Sequence, residues 1–154
     1  MDRAETAKRF YAQARMMTIA MAFSVVAYGV VGYYLIQMGK SGPAILNAQT
    51  YPLAKYGALV VSVIGIFMMQ QLSRRAFDAV PASLPSTERP VQRLLVRTIL
   101  MSAGAELPLL LGMLLVFLGR QPHDFIPFAV VALTGFWLAF PRKQQWVEWL
   151  GVDF

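Results

Sequence analysis

Apolar residues fall into four long runs separated by short polar stretches: about Met16 to Met38, Leu53 to Leu72, Leu94 to Leu118 and Phe125 to Phe140. A helix rises about 1.5 Å per residue, so roughly 20 residues cross the ~30 Å hydrocarbon core of a bilayer. The runs lack the period-two alternation of a barrel strand, which leaves α-helix as the spanning form. The pattern therefore predicts an all-α, integral membrane four-helix bundle in a single domain covering residues 1–154. Start signals fit the cuts: Thr50 with Pro52, Thr87 with Pro90 and Asp124 with Pro127 suit helix entries. Gly39 and Gly119 stand where the first and third helices should stop.

Composition agrees with this reading and excludes an ordinary water-soluble domain. Hydrophobic residues make up 57%, charged residues 14%, and the mean hydropathy is +0.52. Soluble domains carry roughly a quarter charged residues. The net charge of +6 is an orientation signal and not a sign of nucleic-acid binding. Arg3, Lys8, Arg9, Arg15, Arg74, Arg75, Arg89, Arg93, Arg97, Arg142 and Lys143 fall on one side of the spans, against Lys40, Lys55 and Arg120 on the other. The positive-inside bias then places both termini and the central loop in the cytoplasm, with a bacterial inner membrane as the expected location.

The segment of about 73–93, RRAFDAVPASLPSTERP at its centre, is a cytoplasmic linker in which Pro81, Pro85 and Pro90 forbid a continuous helix. It is either a plain connector or a docking loop for a partner. In the tail, Trp146, Trp149 and Leu150 share one helical face, which predicts an interfacial helix over about 142–151.

Reactive chemistry is sparse. The chain has no cysteine and one histidine, His123, which falls in a loop and reads as surface. Thiolate or multi-histidine metal sites are excluded, no cofactor motif is present, and no nucleophile–base pair can be named, so an enzyme is not expected.

One acid breaks the charge pattern. Glu106, in AGAELPLLLG, stands twelve residues from each end of the third run. An ionised acid at mid-bilayer costs about 2.5–3.5 kcal/mol on insertion scales. Ser102 lies one turn earlier on the same face, the small residues 103–105 admit a close neighbour, and Pro108 frees a carbonyl beside the acid. Glu106 and Ser102 are the candidate proton- or ion-binding residues. The alternative is a protonated Glu106 hydrogen-bonded to Ser24, Tyr28, Ser62 or Thr134 on a neighbouring helix.

Shifting the chain by 80 residues pairs Thr18 with Thr98, Ile19 with Ile99, Met21 with Met101, Gly32 with Gly112, Leu35 with Leu115 and Gly39 with Gly119. The expected architecture is two helical hairpins related by duplication and inserted in the same direction. The duplicated hairpin, the single mid-membrane acid among small residues and the loop Arg120-Gln121-Pro122 together resemble the rotary-ATPase proteolipid subunits. That resemblance implies that Glu106 is the ion-binding acid and Val26 its lost counterpart. The chain departs from the family in carrying the acid before its Arg-Gln-Pro loop, in lacking a dense glycine repeat in the first helix, and in placing Arg120 on the outer side.

The functional expectation is a small non-catalytic subunit or accessory protein of a larger membrane complex. Its partners would be the lipid bilayer together with other membrane subunits or further copies of itself. The alternatives are a small proton-coupled transporter and a ring-forming ion-translocating subunit.

Overall fold

The computed structural model describes residues 3–38, 45–47, 49–78, 89–119, 121–151 and 153, and among these all regular structure is helical. Helix α1 covers Arg3–Met38, α2 Thr50–Asp78, α3 Arg89–Gly119, α4 Phe125–Ala139 and α5 Lys143–Leu150, with one 3-10 turn at Pro122–Asp124 leading into α4. Four stretches are long and apolar enough to cross a membrane: Ala4–Tyr34, Thr50–Arg75, Val91–Gly119 and Pro122–Glu148. Gly39, Lys40, Pro81, Pro85, Thr87 and Arg120 lie outside the described residues, as do the side chains of Pro90, Trp149 and Leu150.

Three helices run past the predicted spans on the basic side. At 1.5 Å per residue, the 36 residues of α1 make a rod of about 54 Å, well beyond a ~30 Å core. Its polar first turns stay helical because they carry a narrow seam. Ala7, Ala14, Thr18, Val25 and Gly32 are buried, with Tyr11, Met21 and Tyr28 half-buried between them, a spacing that keeps to a seven-residue repeat. Hydropathy alone hides this seam among Lys8, Arg9 and Arg15.

Helix α3 is the hub. It packs against α1, α2 and α4, and α4 in turn touches α1 and α2, whereas α1 and α2 share no contact among the described residues. The cross-section is therefore a rhombus with α3 and α4 on the short diagonal. The first of the two expected hairpins is open, since α3 and α4 stand between α1 and α2; the second is closed. Small residues set the closest approaches: Gly112 faces fully buried Phe128, and Gly135 faces Ala105. A Cβ on Gly112 would stand 2.7 Å from Phe128 Cβ and 2.8 Å from its Cγ. Gly112→Ala is therefore expected to destabilise the bundle by about 1–3 kcal/mol, read as a lower thermal midpoint of the detergent-solubilised protein.

Two clusters close the ends. On the basic side, Trp146 of α5 is 2% exposed among Ala7, Ala14, Val91 and Leu94. Its ring meets Tyr11 edge-on at 5.6 Å. The tail helix forms where expected, but Trp146 is buried in protein and not at a lipid interface, because the long α1 and α3 rise beside it. Gly151 caps α5 with φ 63°, a left-handed conformation that suits glycine, and its N–H bonds to the Val147 carbonyl. At the opposite end Tyr51, Leu115 and Phe128 pack together, and the Ile45 and Leu46 N–H groups both donate to the Leu118 carbonyl.

Candidate functional site

Hydroxyl groups inside the bundle mostly serve their own helices. Thr18 donates to the Ala14 carbonyl, Ser62 to Ala58, Thr98 to Leu94 and Thr134 to Val130, each one turn back. Ser24 bonds to the Met21 carbonyl in the same way. A hydroxyl closed on its own backbone is a weak partner for a neighbouring helix. Among the described residues, a polar contact between helices near Glu106 joins Ser102 to Thr18, Oγ to Oγ1 at 3.5 Å.

This arrangement decides the surroundings of Glu106. Its helix buries Ala105 and Leu109 on one side and exposes Ala103 and Leu110 on the other, with Glu106 half-buried between them. Because α4 covers the opposite side of α3, that exposed stripe is the outward face of the hub helix. Glu106 sits on its α1 flank, next to the Ser102–Thr18 contact. No hydrogen bond or ion pair reaches the Glu106 carboxyl among the described residues. Of the four expected partners, Ser24, Ser62 and Thr134 are committed to carbonyls of their own helices, and Tyr28 makes no bond to it. Ser102 shares a face with Glu106 as expected, but its hydroxyl is engaged with Thr18.

A second polar locus lies at the outer end. Asp124, only 8% exposed, has both carboxylate oxygens occupied. Tyr51 Oη donates to Oδ2 at 2.5 Å, and Lys55 Nζ donates to Oδ1 at 2.6 Å. Asp124 occupies the N-cap position of α4, as its place before Pro127 suggested, but its side chain makes no capping bond. It is spent instead on α2. The entry to α2 is capped by Asn47, whose Oδ1 accepts from the Thr50 N–H at 2.8 Å, and not by Thr50 itself. Gly119 makes room for the triad, since a Cβ there would run into the Tyr51 ring. Beside the triad is a recess of about 410 Å³ reaching Gln121 and Tyr56.

The sequence held a signal for this pair. Lys55 is a cation two residues inside the second apolar run, and Asp124 is an acid one residue before the fourth. His123 next to it is exposed, as a surface residue should be, but within the 3-10 turn that leads into α4.

The triad joins two donors on α2 to one carboxylate at the entry to α4, which suits it to fastening α2 onto α4. Among the described residues no group of three or more His, Cys, Asp and Glu side chains could hold a metal ion. Among the described residues, the Glu106 carboxyl is an acid inside a span with unused bonding capacity. Comparison with protein-family models, with curated proteins and with solved structures finds no match for this chain.

Proposed function

We propose that this chain is a non-catalytic multi-pass membrane subunit or accessory protein that works within a larger assembly, with Glu106 as the carboxyl through which it engages another subunit. One observation carries the reading. Glu106 stands halfway along the hub helix, half-buried at the α1 edge of its outward face, with no partner among the described residues. In hydrocarbon an acid in that position is costly, and a partner's donor or a water-filled path removes the cost. Exposed Ala103, one turn before it, lets a neighbouring helix come close.

Duplication of a helix pair fits the same picture. In the 80-residue register, Ala14 and Leu94, Thr18 and Thr98, Val25 and Ala105, and Gly32 and Gly112 are buried at matching positions. Thr18 and Thr98 also make the same one-turn-back hydroxyl bond. Val26, the counterpart of Glu106, is exposed, so the equivalent place on α1 also faces outward. Orientation with both termini in the cytoplasm is supported by exposed Lys8, Arg9, Arg15, Arg74, Arg75, Arg142 and Lys143, all at the end of the bundle that carries the α1 N-terminus.

The test uses the absence of native cysteine. Ala103→Cys is expected to cross-link in membranes to a partner or a second copy. Glu106→Gln is expected to lower that yield several-fold while the protein still folds and elutes as before. An unchanged yield would remove the proposal.

A second reading, proton or ion translocation as in a small coupled transporter or a ring subunit, rests on the same unpaired acid. It is separated by reactivity. A hydrophobic carbodiimide should modify an ion-exchanging Glu106 at neutral pH, with protection at high concentration of the transported cation. A Glu106 that merely contacts a partner becomes reactive when the partner is stripped away and shows no cation protection.

A further inference from the structure

The α2–α3 junction contains an open trough with one charged end. Its wall on α2 is Ile64, Met68 and Leu72, spaced by four, and its opposing wall is Leu107 of α3; Arg75 closes the cytoplasmic end beside Gln71. The volume is about 740 Å³. From Ile64 to Arg75 is eleven residues, or about 16 Å of helix, which matches half of a ~30 Å hydrocarbon core. The trough therefore begins near the level of Glu106 and ends at one membrane surface. It is one leaflet deep. Apart from Arg75 the lining has no charge. Arg75 is exposed and makes no hydrogen bond or ion pair among the described residues, and Arg74 beside it is likewise exposed.

We infer that this trough holds one acyl chain of an anionic phospholipid from the cytoplasmic leaflet, with the phosphate against the Arg75 guanidinium. The apolar lining requires hydrocarbon, and the length selects a chain that stops at mid-bilayer. The unpaired guanidinium at the mouth adds a preference for a negative headgroup, through a charge-assisted and commonly bidentate pairing with phosphate. The close approach of α2 to α3, Gly65 against Leu107 and Gly104 against Met69, makes the floor of the trough, and the single cation at its mouth matches one headgroup phosphate. The inference rests on the reading of the four helices as membrane spans, but not on any role for Glu106.

The experiment reconstitutes the full chain in vesicles of equal parts phosphatidylglycerol, phosphatidylethanolamine and phosphatidylcholine. Mild detergent extraction and native mass spectrometry then count the phospholipids retained. Phosphatidylglycerol is expected to be retained at one per chain and enriched over phosphatidylcholine. Arg75→Ala should cut that enrichment about fivefold, and Arg75→Lys should keep most of it. Ile64→Trp, which fills the deep end, should release lipids of every headgroup. Equal retention of the three lipids by the unaltered protein, or undiminished enrichment in Arg75→Ala, overturns the site. Resistance to carbonate extraction tests the membrane reading separately, so failure of the one is not mistaken for failure of the other.

Discussion

Asp124→Ala is expected to cost about 3 kcal/mol, the largest loss from any single polar change in this chain. The carboxylate accepts from two groups on α2, the Tyr51 hydroxyl and the Lys55 ammonium. Lys55 keeps 24% side-chain exposure and Asp124 12%, so the pair is shielded without being sealed. Removing one member of a buried pair strands the other, and such losses run at about 3–5 kcal/mol when burial is complete. Partial hydration of Lys55 places this one at the lower end. Asp124→Asn should lose less, since the amide oxygen still accepts from Tyr51. The decisive measurement is a double-mutant cycle on thermal unfolding in detergent. Lys55→Met combined with Asp124→Ala should lose clearly less than the sum of the two single changes. Strict additivity would show that the pair does not fasten α2 to α4.

Trp146→Ala should destabilise the basic end to a similar degree, about 3–4 kcal/mol. The indole contacts the seam of α1 through Ala7, Ala14 and Tyr11, and the first turns of α3 through Val91 and Leu94. Arg15 lies over the Phe140 ring at 5.9 Å just below. Without the indole, the polar first turns of α1 lose the large buried side chain that covers them. The effect should be local. Limited trypsin digestion is expected to cut at Lys8, Arg9 and Arg15 many times faster in the variant, while the spans stay helical by circular dichroism. Trp146→Phe should restore most of the protection. Unchanged digestion in Trp146→Ala would show that α5 is not docked on α1.

The four spans were legible from hydropathy because lipid-facing helices are apolar all round, and α2 exposes Leu53, Val60, Ile64, Phe67 and Met68 along its length. The extension of α1 back to Arg3 was not. It depends on a two-position seam within a charged stretch, visible only to a search for period and not to an average. Asp124 shows a different limit. Its place before Pro127 marks a helix entry correctly, but the local rule that assigns its oxygens to the α4 backbone loses to Lys55 and Tyr51, which lie 69 and 73 residues away along the chain. Glu106 was found by charge alone. Its lack of a partner could not be read from the sequence, because it follows from which carbonyls Ser24, Ser62 and Thr134 bond to. The open first helix pair follows from the choice of α3 as hub, and the shared buried register of α1 and α3 conceals that asymmetry.

The two flanking helices are fastened at opposite ends. Helix α1 is pinned on the basic face by Trp146, Arg15 and the Thr18–Ser102 contact, and α2 on the far face by Lys55, Tyr51 and the loop bonds to Leu118. The polar and aromatic fastenings of the two flanking helices therefore stand at opposite ends of the α3–α4 pair, while close packing continues along both, Gly29 against Phe125 for α1 and Gly104 against Met69 for α2.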